Sequence, residues 1–264
     1  MPEDKHARAP AWYVISLRPQ GEHGPLRSAV ERFGGRVVGA APWRLEMLGG
    51  DGVRDVLRRA LAAPRVLFTS PAAVRAAAAL LPLRAAAGQH WLAVGSGTAA
   101  ALRKAGVVDV AAPRRMDSEG LLDLPALQQL DGLAVGLVTA PGGRGMLAPA
   151  LAQRGATIIR ADVYRREPVP VTARTLAKLR TLDAPAVLAV SSGEALQRLL
   201  AAVPADIAER LQRLHVVAAS ERLGELTRAS GFPKTTIADS ARPADLARAA
   251  ARILGTAAGD RGIR

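Results

Sequence analysis

The sequence predicts an α/β fold in which parallel sheets are covered by helices on both faces. Short apolar, β-prone runs alternate with Ala/Leu/Arg runs of helical period, the pattern of parallel strands joined by crossover helices. Ten strand candidates are more than one small sheet needs, and 264 residues are enough for two domains that each bury a core. Hydrophobic residues make up 49% of the chain and aromatics only 3%, so that core is built from Ala, Leu and Val rather than from rings.

Taken in chain order, the first predicted strand covers residues 12–18 and is followed by a helix at 24–33 and a strand at 36–41. A helix at 52–62 leads to a strand at 66–70, and a helix at 72–81 to a strand at 91–94. Next come a helix at 98–105 and strands at 109–112 and 133–140, then a helix at 143–154 and a strand at 157–162. The last third alternates in the same way: helix 172–182, strand 186–191, helix 194–201, strand 215–219, helix 221–229, strand 235–238 and helix 244–254, with 255–264 as a loose tail. Several helices share a stop signal, a glycine after a last turn that carries a basic residue: Arg32-Phe33-Gly34, Lys104-Ala105-Gly106, Arg154-Gly155 and Arg228 before Gly231. The cation suits the negative end of the helix dipole, and glycine accepts the left-handed cap.

Two segments break the rhythm: 41–47, with Pro42 and Trp43, and 163–169, with Tyr164, Arg165-Arg166 and Pro168. Both read as interdomain linkers. They divide the chain into a discontinuous first domain, residues 1–40 and 170–264, and a second domain, residues 48–162.

The formal charge of +13 comes from 36 basic against 23 acidic residues, and only four of the basic residues are lysine. Arginines on solvated helix faces account for part of this; an anionic partner, either nucleic acid or a multiply charged small acid, is the other source. Nucleic acid is disfavoured, because base-stacking platforms need aromatics among the cations and Phe, Tyr and Trp total eight. No run approaches the roughly 20 apolar residues of a membrane span. The charged N-terminus lacks the apolar core of a signal peptide, and the absence of cysteine fits the cytoplasm, so a cytoplasmic protein without membrane partners is expected. Four isolated histidines give no metal-ligand spacing, and no metal or cofactor is expected.

Hydroxyl-rich turns close several strands just before a helix: Thr69-Ser70, Ser191-Ser192-Gly193 and Ala219-Ser220. These residues suit N-caps, a role compatible with ligand contact, because ligands of open α/β sheets lie outside the carboxyl ends of the strands. Gly95-Ser96-Gly97-Thr98 forms a glycine-rich turn of the same kind, either a packing turn or an anion site built from amides. A nicotinamide cofactor there lacks the acidic residue that such a site needs at the end of the next strand. Pro141 to Gly145 is a fifth anion-friendly turn. Tyr164 is one of two tyrosines and lies in a linker, as a packed aromatic or a ligand-facing group.

In order and spacing these landmarks resemble the uroporphyrinogen-III synthase family from about Val14 to Leu254. The matching elements are Leu17-Arg18-Pro19, Phe68-Thr69-Ser70, Val94-Gly95 with Thr98-Ala99, Ser118-Glu119-Gly120, Gly143-Arg144-Gly145, Val163-Tyr164-Arg165-Arg166, Ser191-Ser192-Gly193 and the strand before Ser220. The resemblance implies two doubly wound, flavodoxin-like parallel-sheet domains joined by a two-stranded linker. It also implies a cofactor-free monomer that binds a linear tetrapyrrole in the cleft between the domains. The implied reaction cyclises hydroxymethylbilane to uroporphyrinogen III, with loss of water and inversion of the last ring. Tyr164 matches the family's cleft tyrosine and would assist departure of the hydroxyl. The implied substrate contacts are Arg18, Thr69, Ser70, Gly95, Gly97, Thr98, Gly143, Arg144, Ser191, Ser192, Gly193 and Ser220, with Arg18 and Arg144 as the preferred cations. The alternative is a non-catalytic, hinged two-domain binding protein for a small polyanion.

Overall fold

A computed structural model describes residues 12–113, 118–142 and 145–259. The chain separates into two units, Met1–Arg44 with Pro168–Arg264, and Leu45–Glu167.

In the first unit a parallel sheet has the order β11-β10-β9-β1-β2. Its strands are β1 (Tyr13–Ser16), β2 (Arg36–Gly39), β9 (Ala186–Val190), β10 (His215–Ala218) and β11 (Thr235–Ile237). Side chains alternate across a pleated strand, and this strand chemistry uses both faces. Val14, Val187, Ala189 and Val217 point toward α1 (Gly24–Glu31) and α11 (Pro243–Gly259), where they pack with Leu26, Val30 and Leu246. Ile15, Leu188, Val190 and Val216 take the opposite face. Their partners there are Leu179 of α7 (Ala173–Arg180), Leu196 of α8 (Gly193–Ala202), Ile207 of α9 (Ala205–Gln212) and Leu223 of α10 (Glu221–Ala229).

The second unit repeats the plan with four parallel strands in the order β5-β4-β6-β7. They are β4 (Arg65–Phe68), β5 (His90–Ala93), β6 (Ala134–Thr139) and β7 (Thr157–Asp162). Val66, Phe68, Trp91 and Val138 pack under α2 (Asp51–Leu61), α3 (Pro71–Leu80) and α4 (Ser96–Lys104). Leu67, Leu92, Val135 and Leu137 pack on the other face with Leu121 of α5 (Ser118–Leu122) and Leu151 of α6 (Leu147–Gln153). Three of the eight aromatics, Phe68, Trp91 and Tyr164, lie in this core, with Phe68 and Trp91 stacked 5.7 Å apart. Gly136 is required where β6 meets α2, since a Cβ there would lie 1.9 Å from the Ala60 carbonyl oxygen.

Each sheet has one point where the winding reverses, between β1 and β9 in the first unit and between β4 and β6 in the second. The crevice outside the carboxyl ends of two such strands is the usual ligand position of an open α/β sheet.

Both segments predicted as linkers contain a strand. β3 (Trp43–Met47) and β8 (Tyr164–Pro168) form a two-stranded sheet. Its flanking hydrogen bonds, Val169 N–H to Pro42 O and Leu48 N–H to Val163 O, show that the strands run in opposite directions. The predicted strand at 109–112 reduces to one bridge, Ala111 with Leu92, because a single pairing is all that this short run finds at the edge beside β5. Helix α9 was not among the predicted elements, and α11 continues through the first half of the predicted tail to Gly259. The predicted helix stops hold: Gly34, Gly106, Gly155 and Gly231 all have left-handed backbones, with φ between 75° and 99°.

Candidate functional site

At the winding reversal of the second unit, β4 and β6 lie side by side with Phe68 opposite Val138. The residues that follow these two positions are therefore brought together from distant parts of the chain. Thr69 Oγ1 donates to Thr139 Oγ1 over 2.8 Å. Ser70 then leaves the strand in an extended conformation and caps α3, its Oγ accepting from Ala73 N–H at 3.0 Å, while Pro71 opens the helix at a position that needs no donor. Tyr164, the first residue of β8, has its ring buried in the core beneath α2, α3 and α4 and is 4% exposed. Its hydroxyl emerges from that core 3.0 Å from Ser70 Oγ.

These groups line a cavity of about 190 Å³ together with Pro141, Met146 and Arg160. Arg160, on β7, is held in place from two sides. Its Nε donates to both Asp162 carboxylate oxygens, at 3.0 and 3.2 Å, and its Nη2 donates to the Ala140 carbonyl at 3.1 Å. The lining therefore offers neutral hydroxyls and guanidinium groups, with no carboxylate or imidazole among the described residues. Such a site donates hydrogen bonds to an anionic or oxygen-rich ligand and has no strong base. No group of histidines and carboxylates suited to a metal ion occurs among the described residues.

The other predicted contacts in this unit are placed differently. Gly95 heads α4 in an extended conformation without a side-chain cap, and Gly97 is exposed, with nothing nearer than 3.8 Å to a Cβ built on it. Thr98 is 2% exposed, so what this turn presents at its surface is backbone rather than the threonine side chain. Gly143 and Arg144 lie outside the described residues.

In the first unit the corresponding reversal joins Ser16 of β1 to Ala189 of β9. Ser16 is fully buried and lies 2.9 Å from His23 Nδ1. Arg18 follows, with Nε buried and without a hydrogen-bond partner among the described residues; burial lowers its pKa, and Glu22 opposes that shift. His23 is also pushed below the usual histidine value, first by burial and then by Arg27 and Arg18, against a smaller opposing effect of Glu22. After β9, Ser191 is exposed and Ser192 caps α8 through Ala195 N–H at 3.3 Å. A Cβ on Gly193 would meet Leu226 at 2.8 Å, so glycine there lets α8 and α10 approach. Ser220 caps α10 through Leu223 N–H at 3.4 Å.

A second cavity, about 220 Å³, lies at the amino ends of the strands of this unit. It is lined by apolar side chains such as Leu179, Leu182 and Ile207, with Arg210 donating to the Leu182 carbonyl. That end of a parallel sheet is not where ligands of this class bind.

The family model for uroporphyrinogen-III synthase HemD matches residues 25–248. The chain belongs to the uroporphyrinogen-III synthase family. Among curated relatives it is 34% identical over 162 residues to uroporphyrinogen-III synthase of Salmonella typhimurium, and 31% identical over 161 residues to that of Escherichia coli. These matches cover 61% and 60% of this chain and span 66% and 65% of the two relatives, just under two thirds of their length. A mutant uroporphyrinogen III synthase from the extreme thermophile Thermus thermophilus superimposes with a TM-score of 0.62 at 20% identity, covering 93% of this chain and all of that one. The enzyme from Helicobacter pylori superimposes with a TM-score of 0.54 at 14% identity, covering 88% and 93% of the two chains. At these identities the structures establish the shared two-domain α/β fold.

Within the family frame, the structure brings Tyr164, Thr69 and Ser70 to one cavity, and it places Arg18, Ser191, Ser192, Gly193 and Ser220 in the other unit. Thr139 and Arg160 were not predicted. Thr139 ends a strand just before the Pro141 turn, a position that could have marked it, whereas Arg160 sits inside a strand run and carries no local signal.

Proposed function

We propose that this chain cyclises hydroxymethylbilane to uroporphyrinogen III, with loss of water and inversion of the last pyrrole ring, as a step of haem biosynthesis. The observation that carries this reading is the Tyr164 hydroxyl, 3.0 Å from Ser70 Oγ and lining a cavity with no carboxylate or imidazole among the described residues. Loss of the substrate hydroxyl needs a hydrogen-bond donor at the departing oxygen rather than a strong base. One lone pair of Ser70 Oγ is engaged by Ala73 N–H. With the serine proton directed to the phenol oxygen, the phenol proton is free to meet the leaving group.

The azafulvene left behind is electrophilic. Attack on it by the substituted position of the last ring gives a spiro intermediate, which fragments and recloses with that ring inverted. The protein's contribution is chiefly to hold the bilane so that this closure outruns the uninverted one, an orientation effect. The acid arms of the substrate suit Arg18, Arg144 and the amides and hydroxyls at Thr69, Gly95, Gly97, Thr98, Gly143, Ser191, Ser192, Gly193 and Ser220. We take residues 48–162 and residues 1–40 with 170–264 as the two domains, acting as a monomer in the cytoplasm. No helix of the described residues is long and apolar enough to cross a membrane.

The test is to supply freshly prepared hydroxymethylbilane and identify the product isomer. Uroporphyrinogen III formed faster than spontaneous ring closure supports the proposal, and release of only the uninverted isomer at the spontaneous rate contradicts it.

A further inference from the structure

The cavity beside Tyr164 is smaller than the roughly 300–1,000 Å³ that encloses a drug-sized ligand. At about 190 Å³ it accommodates one part of a tetrapyrrole, not the whole molecule. A single pyrrole ring that reaches the Tyr164 hydroxyl carries its acetate and propionate arms outward from the ring, so a carboxylate must be met near the mouth. Arg160 lines the same cavity.

Its guanidinium is fixed but not used up. Asp162 engages Nε and the Ala140 carbonyl engages one Nη2 proton, which leaves both Nη1 protons and the second Nη2 proton without a partner among the described residues. With the Ala140 carbonyl on the Nη2 proton beside Nε, the remaining protons include the end-on pair, the fork that binds a carboxylate through two parallel hydrogen bonds. The side chain is 42% exposed, so a ligand can reach it without displacing the core. The bonds to Asp162 and Ala140 hold the plane of the fork before the ligand arrives, which cuts the ordering cost of binding.

We infer that Arg160 binds a carboxylate arm of the same pyrrole ring that presents its oxygen to Tyr164, and so sets which end of the bilane enters this cavity. The inference rests on the proposed cyclisation. Arg160 acts on binding and not on the bond being broken, so its loss weakens substrate affinity and leaves the chemical step nearly intact.

The experiment measures kcat and KM for hydroxymethylbilane, with the product isomer, for the unsubstituted protein and for Arg160→Ala, Arg160→Lys and Arg59→Ala. Arg59 is an exposed cation in the last turn of α2 that does not line the cavity, so its variant removes the same charge from the same unit. The expected result is a KM about tenfold higher for Arg160→Ala, with kcat within about threefold. Arg160→Lys should fall between the two, keeping the charge but losing the fork, and Arg59→Ala should match the unsubstituted protein. A thermal midpoint unchanged in Arg160→Ala shows that folding is not the cause. If the unsubstituted protein makes uroporphyrinogen III and Arg160→Ala has the same KM as Arg59→Ala, the inference is overturned and the proposed function stands. If the unsubstituted protein makes no uroporphyrinogen III, both fall.

Discussion

The hydroxyl of Tyr164 lies 3.0 Å from Ser70 Oγ, although 94 positions separate the two residues in the chain. The serine caps α3 with the same oxygen, accepting from Ala73 N–H at 3.0 Å. The end of one strand, the start of one helix and the first residue of β8 are thus tied at a single atom. A phenol held in this way keeps its position while its ring is buried at 4% exposure, and a leaving-group donor needs that fixity.

The hydroxyl-rich turns contain both helix caps and exposed residues that cap no helix. Ser192→Ala should lower stability by about 1 kcal/mol, the usual cost of losing a serine N-cap, because it removes the acceptor for Ala195 N–H. Ser191→Ala should leave stability unchanged, since Ser191 is exposed and caps nothing. Urea denaturation of the two variants checks this, and an equal loss in both would show that the cap is not what holds the start of α8.

Gly136→Ala should be among the most damaging single-methyl changes in the second unit. The added carbon would meet the Ala60 backbone at 1.9 Å, and neither β6 nor α2 has a flexible side chain there to move aside. Overpacking of this kind costs about 1–3 kcal/mol, readable as a fall in the urea midpoint. Gly97→Ala is the control, because the space around that glycine is open to 3.8 Å.

Stability should fall as pH drops below the ordinary histidine value of about 6.5. His23 is shifted down first by burial and then by Arg27 and Arg18, and His215 first by burial and then by Lys234. With folded values depressed, the unfolded chain takes up protons before the folded one, so unfolding is favoured between the unfolded and folded pKa values. Above about pH 7 both residues are neutral in both states and contribute nothing. Asp206, shifted down first by its hydrogen bond to Arg180, acts in the same direction only in the lower carboxylate range. The joint variant His23→Gln with His215→Gln should therefore flatten the stability profile between pH 7 and 5 and leave the fall below pH 4. A profile as steep as the original would refute the assignment.

Much of the fold was legible because it is written locally. Alternating apolar runs marked nine strands of the two main sheets, and glycines after basic last turns marked where helices stop, as the left-handed Gly34, Gly106, Gly155 and Gly231 show. The elements without a local signal are the two linker strands, which only the family resemblance implied, and α9. β3 and β8 carry Arg44, Glu46, Arg165 and Glu167 and are held as strands by pairing with each other, including the 3.1 Å ion pair of Arg165 with Glu46. α9 follows directly on Pro204, which reads as a breaker in sequence and serves as the helix cap in the structure. Thr69 and Ser70 were visible as a hydroxyl pair at a strand end. Thr139, which accepts from Thr69, and Arg160, which lines the same cavity, were not, because only the non-sequential order β5-β4-β6-β7 brings residues about 70 to 90 positions away to that cavity.

Under the proposed function, turnover depends on holding the bilane in one orientation and on one phenolic hydrogen bond from Tyr164. The deciding measurement is the rate and product isomer of Tyr164→Phe acting on hydroxymethylbilane. That substitution keeps the buried ring and removes the hydroxyl that meets Ser70. The expected kcat is lower by about 10² to 10³, the usual cost of one lost transition-state hydrogen bond in a desolvated site, with uroporphyrinogen III still the main product. Full activity in Tyr164→Phe, or an equal loss accompanied by a switch to the uninverted isomer, would contradict it.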